Sequence, residues 1–86
     1  MSPYINQKLR ERIDIELSPV LNKVPLLTIG ELNYVITQIL LATKPTNYTN
    51  YNALIGMLEC VKQEFYRRVI APYEDEKKVV EGDVFL

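Results

Sequence analysis

The sequence predicts an all-α fold: a three-helix domain with a central antiparallel helical hairpin, an N-terminal helical segment packed across it and an extended C-terminal tail. Three observations carry this. Apolar residues recur at spacings of three and four in separate stretches, a capping box heads one of them, and proline-containing turn clusters divide them.

The N-terminal segment, residues 6–23, begins at Asn6, with Leu9, Ile13 and Leu17 four apart and Lys8, Arg10, Glu11, Arg12 and Asp14 on the remaining faces. Ser18-Pro19 interrupts it, so two short helices joined near residue 16, or one kinked helix, are expected. The second helix, 29–43, has the clearest start. In Thr28-Ile29-Gly30-Glu31 the hydroxyl and the carboxylate each satisfy an otherwise orphan backbone N–H. Its apolar stripe is Leu32, Val35, Ile36, Ile39 and Leu40, and Lys44-Pro45 stops it. Tyr34 and Leu41 lie nearly opposite that stripe and form a second apolar seam, the mark of another contact surface.

The turn formers of residues 44–50 offer Thr49 or Asn50 as the next cap. A third helix over 51–71 follows, with a core stripe of Tyr51, Leu54, Leu58, Val61, Phe65 and Val69, ending before Pro72. Residues 72–86 read as a polar tail that wraps the surface, with Val79-Val80 and Val84-Phe85-Leu86 around the turn Gly82-Asp83. Its apolar end implies docking, on its own domain or a neighbour's. The whole chain, 1–86, is read as one domain.

Composition narrows the function. At 86 residues a single domain buries a small share of its surface, so help from a second subunit is expected. The net charge of −1 is uneven: five acids and two bases fall within residues 74–83, leaving eight bases against six acids before them. That surplus is too small for a duplex nucleic-acid binder, but a small anionic ligand needs only two or three cations. There is one cysteine, Cys60, and no histidine. Disulfide frameworks, Cys/His zinc sites and imidazole-based catalysis are thereby excluded, and Cys60 reads as a small hydrophobe. No metal or other cofactor is called for, and the chain is read as a non-enzyme. No signal-peptide stretch and no membrane-length apolar run occurs, so the expected compartment is the cytoplasm.

Candidate ligand-binding residues lie on three faces. Asn52, Gly56, Glu59, Gln63, Tyr66 and Arg67 share the side of the third helix opposite its stripe. A glycine inside a helix costs about 1 kcal/mol and points to close approach of something, a ligand or another helix. In a pocket wall, Asn52 would offer hydrogen bonds and Tyr66 a ring for stacking. Arg67 and Arg68, with Lys62, can hold a phosphate or carboxylate. The alternative for the arginines is pairing with the acids of Glu74-Asp75-Glu76. Asn33 and Thr37, four apart beside the second helix's stripe, can read a polar edge or make an inter-helix bond. Tyr73 is a second stacking candidate.

The runs Gly30-Glu31-Leu32-Asn33-Tyr34-Val35-Ile36-Thr37, Tyr51-Asn52-Ala53-Leu54-Ile55-Gly56-Met57-Leu58-Glu59-Cys60-Val61-Lys62, Glu64-Phe65-Tyr66-Arg67-Arg68 and Ala71-Pro72-Tyr73-Glu74-Asp75 carry a family resemblance that ends at Gly82-Asp83. They resemble a family of small uncharacterised proteins found mostly in tailed bacteriophages. The resemblance implies a setting, an accessory protein in a bacterial cytoplasm, and transfers no activity. By analogy of setting and size, the expected function is sequestration of a nucleotide-like defence signal, of cyclic-nucleotide or ADP-ribose type, by a homo-oligomer. The rival expectation is a module that grips a host or phage protein.

Overall fold

A computed structural model of the chain describes residues 2–85; Met1, and Leu86 at the end of the expected apolar tail, lie outside the described residues. The fold is all-α, in three helical runs. They are α1 (Gln7–Leu21), α2 (Ile29–Ala42) and a last run in which α3 (Tyr48–Phe65) passes through a π-helical turn (Tyr66–Ile70) into α4 (Ala71–Glu81). Compact packing divides the chain into two units, one of Pro3–Leu54 and one from Ile55 onward.

In the first unit each helix starts where a side chain replaces a missing acceptor. The Asn6 side chain accepts from the Lys8 N–H at 2.8 Å and opens α1. Despite Ser18-Pro19, α1 is one helix to Leu21. Pro19 forfeits only the hydrogen bond to the Ile15 carbonyl, and the Asn22 N–H still reaches the Ser18 carbonyl at 3.0 Å. A short 3₁₀ turn, Val24–Leu26, leads on to α2. There the capping box forms as the spacing predicts: Thr28 N–H donates to Glu31 Oε1 at 2.8 Å, and Glu31 N–H donates to Thr28 Oγ1 at 3.1 Å. At the other end Lys44 takes a left-handed φ of 53°, and its N–H donates to the Leu41 carbonyl at 3.0 Å. The next helix begins earlier than expected, at Tyr48. Asn47, rather than Thr49 or Asn50, supplies the cap: its Oδ1 accepts from the Asn50 N–H at 3.0 Å, and asparagine is among the strongest N-caps.

The second unit corrects the reading of the tail. The helix does not stop at Ala71; it runs through Pro72 to Glu81, which takes most of the expected tail into α4. The π turn explains how. In a regular α-helix the Pro72 ring would meet the Arg68 carbonyl. Here the Ala71 N–H donates five residues back, to the Tyr66 carbonyl, and the widened turn makes room for the ring at the start of α4. Gly82, at φ 90°, then caps α4 with its N–H on the Lys78 carbonyl at 2.9 Å.

None of the described residues is buried. Of the stripe predicted on α2, Leu32, Val35 and Leu40 are half-buried, whereas Ile36 and Ile39 are exposed. On α3, Leu54 and Leu58 are half-buried together with Met57 and Cys60. Tyr51, Val61, Phe65 and Val69, expected in the core, are about half exposed. All of α1 is exposed, its apolar row included: Leu9 42%, Ile13 36% and Leu17 42%. The second seam on α2, Tyr34 and Leu41, is likewise uncovered.

Candidate functional site

The eight candidate side chains fall on both units: Asn33, Thr37 and Asn52 on the first, Lys62, Tyr66, Arg67, Arg68 and Tyr73 on the second. Asn33 and Thr37 touch each other. The Thr37 hydroxyl donates to the Asn33 carbonyl at 2.8 Å and lies 3.3 Å from Asn33 Oδ1, a bond back onto its own helix rather than an open donor pair. Asn52 stands exposed near the start of α3.

On the second unit the basic candidates meet acids of their own helix. Lys62 Nζ lies 3.0 Å from Glu59 Oε1, and Gln63 Nε2 donates to the same oxygen at 3.3 Å. These bonds, that from Lys62 first and that from Gln63 second, hold the Glu59 carboxyl below the usual carboxylate range. Arg67 forks onto Glu64 through Nη2 at 2.5 Å and Nε at 3.4 Å. The alternative considered for the arginines was the acids of Glu74-Asp75-Glu76; the acid on which Arg67 forks is Glu64. Glu64 lies one turn earlier on the same helix, and the three-residue spacing was the available signal. Asp75 instead faces Lys78, at 4.0 Å. Arg68 has no acidic partner among the described residues.

Tyr66, the first residue of the π turn, is 54% exposed, and Tyr73, the third residue of α4, is 57% exposed. The Lys77 ammonium sits over the Tyr73 ring, 5.8 Å from its centre. Tyr73, Glu76, Lys77 and Val80 line a shallow recess of about 210 Å³. A larger one, about 270 Å³, lies where Val84 and Phe85 meet Glu74, Lys78 and Glu81. Both are open grooves rather than enclosed cavities. The π turn displaces the residues after it around the helix axis. Arg68 and Tyr73 therefore do not keep the angular relation to Lys62 that a regular helix would give them.

Among the described residues no group of three or more acids or cysteines is placed to hold a metal ion. None of their helices is long and apolar enough to cross a membrane. No curated protein and no solved structure matches the chain. Residues 1–84 match the domain of unknown function DUF6899, and the chain belongs to that uncharacterised family.

Proposed function

We propose that this protein is a phage-type accessory protein that binds and sequesters a small nucleotide-like anion of bacterial defence, as a homo-oligomer and without cleaving it. The observation that carries the reading is the π turn. π turns recur at functional sites because they redirect side chains that a regular helix would leave in register. This one contains Tyr66, Arg67 and Arg68, a ring and two guanidinium groups on consecutive residues. Arg68 makes no ion pair among the described residues. The pairs that hold Arg67 and Lys62 are largely surface ion pairs, worth about 0–1 kcal/mol, which a phosphate can displace. Tyr66 and Tyr73 supply stacking faces, while Asn52, and Asn33 with Thr37, are the polar groups for base or ribose edges.

The test is native mass spectrometry of the protein with a panel of linear and cyclic nucleotides. An oligomer that gains an intact nucleotide's mass supports the reading, and Arg68→Ala should then weaken binding at least tenfold while leaving subunit number unchanged. Unchanged affinity in that variant removes Arg68 from the site. A panel that yields no bound mass overturns sequestration of a nucleotide.

A second reading, a module that grips a host or phage protein, is favoured by the exposed apolar groups of the C-terminal region. Val79, Val80, Val84 and Phe85 are 76–86% exposed beside the acids of α4. A single protein captured in stoichiometric yield, and lost on Phe85→Ser, would favour it.

A further inference from the structure

We propose that two copies of this chain pair through α1, antiparallel about Ile13, and that this pairing covers the apolar row the single chain leaves open. The inference develops the homo-oligomer part of the function proposed above and is independent of any ligand.

The row itself is a ridge of residues four apart: Leu9, Ile13 and Leu17, all exposed. Packing such a ridge against its equivalent is the commonest helix-pair geometry in globular proteins. The sequence is symmetric in character around Ile13. Leu9 mirrors Leu17, Ile5 mirrors Leu21, Arg10 mirrors Glu16 and Arg12 mirrors Asp14. A two-fold axis at Ile13 therefore lays apolar on apolar along the whole row, as an isologous contact requires.

Charge selects the antiparallel arrangement. At about 100° per residue, Arg10 and Asp14 fall on one flank of the ridge and Arg12 and Glu16 on the other. A two-fold axis keeps each flank on its own side and reverses its direction. Arg10 then lies beside Asp14 of the second copy, and Arg12 beside Glu16 of the second copy. Within the chain these four make no ion pair among the described residues, although each base has an acid four residues on. Base before acid is the weaker order for such a pair within one helix. Lys8 and Arg10 also stand in the first turn, where the helix dipole disfavours positive charge; an antiparallel neighbour brings its more acidic half towards that end. Glu11, on the far side, accepts from Gln7 at 3.3 Å.

The experiment is sedimentation of the full chain and two charge variants, Arg12→Glu and Glu16→Arg, alone and mixed, with helicity followed by circular dichroism. Each variant alone sets like charges together across the pair and should raise its dissociation constant at least tenfold. Mixing the two restores opposite charges at both contacts of the Arg12–Glu16 flank and should recover assembly as a mixed species even if each alone loses helix. Variants that assemble as well as the wild type, or a mixture that recovers nothing, would overturn the pairing. Wild-type chain that stays monomeric at high concentration overturns both the pairing and the homo-oligomer. Assembly with unaffected variants removes only the α1 interface, and the native mass spectra described above judge the ligand separately.

Discussion

The most informative single residues sit at helix ends. Thr28→Ala removes one half of the capping box on α2 and should lower stability by about 1 kcal/mol, read as a lower urea midpoint. Glu31 is the titrating half: the Thr28 backbone N–H first, and the Thr28 side chain second, hold its carboxyl below the ordinary value. A folded-state value below the unfolded one gives a contribution that is complete above the unfolded value and is lost as pH falls through the folded one. Glu31→Gln keeps an acceptor and removes the titration, so urea midpoints across the acidic range should fall less steeply in that variant than in wild type. This box was legible from residues 28 and 31 alone. The left-handed Lys44 was not, because the usual sequence signal for that conformation is glycine or asparagine. Lys44→Gly should accordingly stabilise the end of α2 by about 1 kcal/mol, measurable as a higher thermal midpoint.

At the scale of elements, sequence periodicity located α1, α2 and most of α3, because caps and apolar spacing are local signals. It left two readings open at Pro19, of which the single helix is the one found, and it misjudged Pro72, which read as a break although α4 begins around it. What rescues Pro72 is the wider turn before it, a backbone adjustment that leaves no composition signature. Pro72→Ala restores an N–H and removes the ring. It should let Tyr66–Ile70 settle toward ordinary α-helical bonding, seen as an amide at position 72 protected from exchange and as altered Cα chemical shifts over 66–70. If the π turn aims the ligand-binding side chains, the same variant should weaken nucleotide binding at least tenfold while gaining helix content. Gained helix with unaltered affinity would detach the turn from the site. Of the eight candidate residues, the sequence could supply chemistry but not commitments. The self-bond of Thr37 and the fork of Arg67 on Glu64 depend on rotamers that residue type does not fix.

For the whole molecule, the apolar stripes were read correctly as stripes and incorrectly as a core within one chain. Periodicity states which face seeks cover; it does not state whose atoms provide it. Tyr51, Val61, Phe65 and Val69 show the difference, each about half exposed on a helix that the spacing assigns to the interior. If assembly supplies the missing cover, folding stability should depend on concentration. A hundredfold rise in total chain should add about 2.7 kcal/mol to the free energy of unfolding, with a higher thermal midpoint to match. A midpoint independent of concentration would show that the chain is stable by itself.

The row of Leu9, Ile13 and Leu17 left open along α1 also bears on time. A helix with uncovered apolar groups opens often, and its backbone in the open form is a substrate for any protease present. The lifetime of such a chain is set by how soon it meets whatever closes that row. Copies made slowly and sparsely would be cleared, whereas a burst of synthesis would bring them past the encounter step and let them persist. Abundance would then decide survival, and the protein would accumulate with a threshold instead of in proportion to its rate of synthesis.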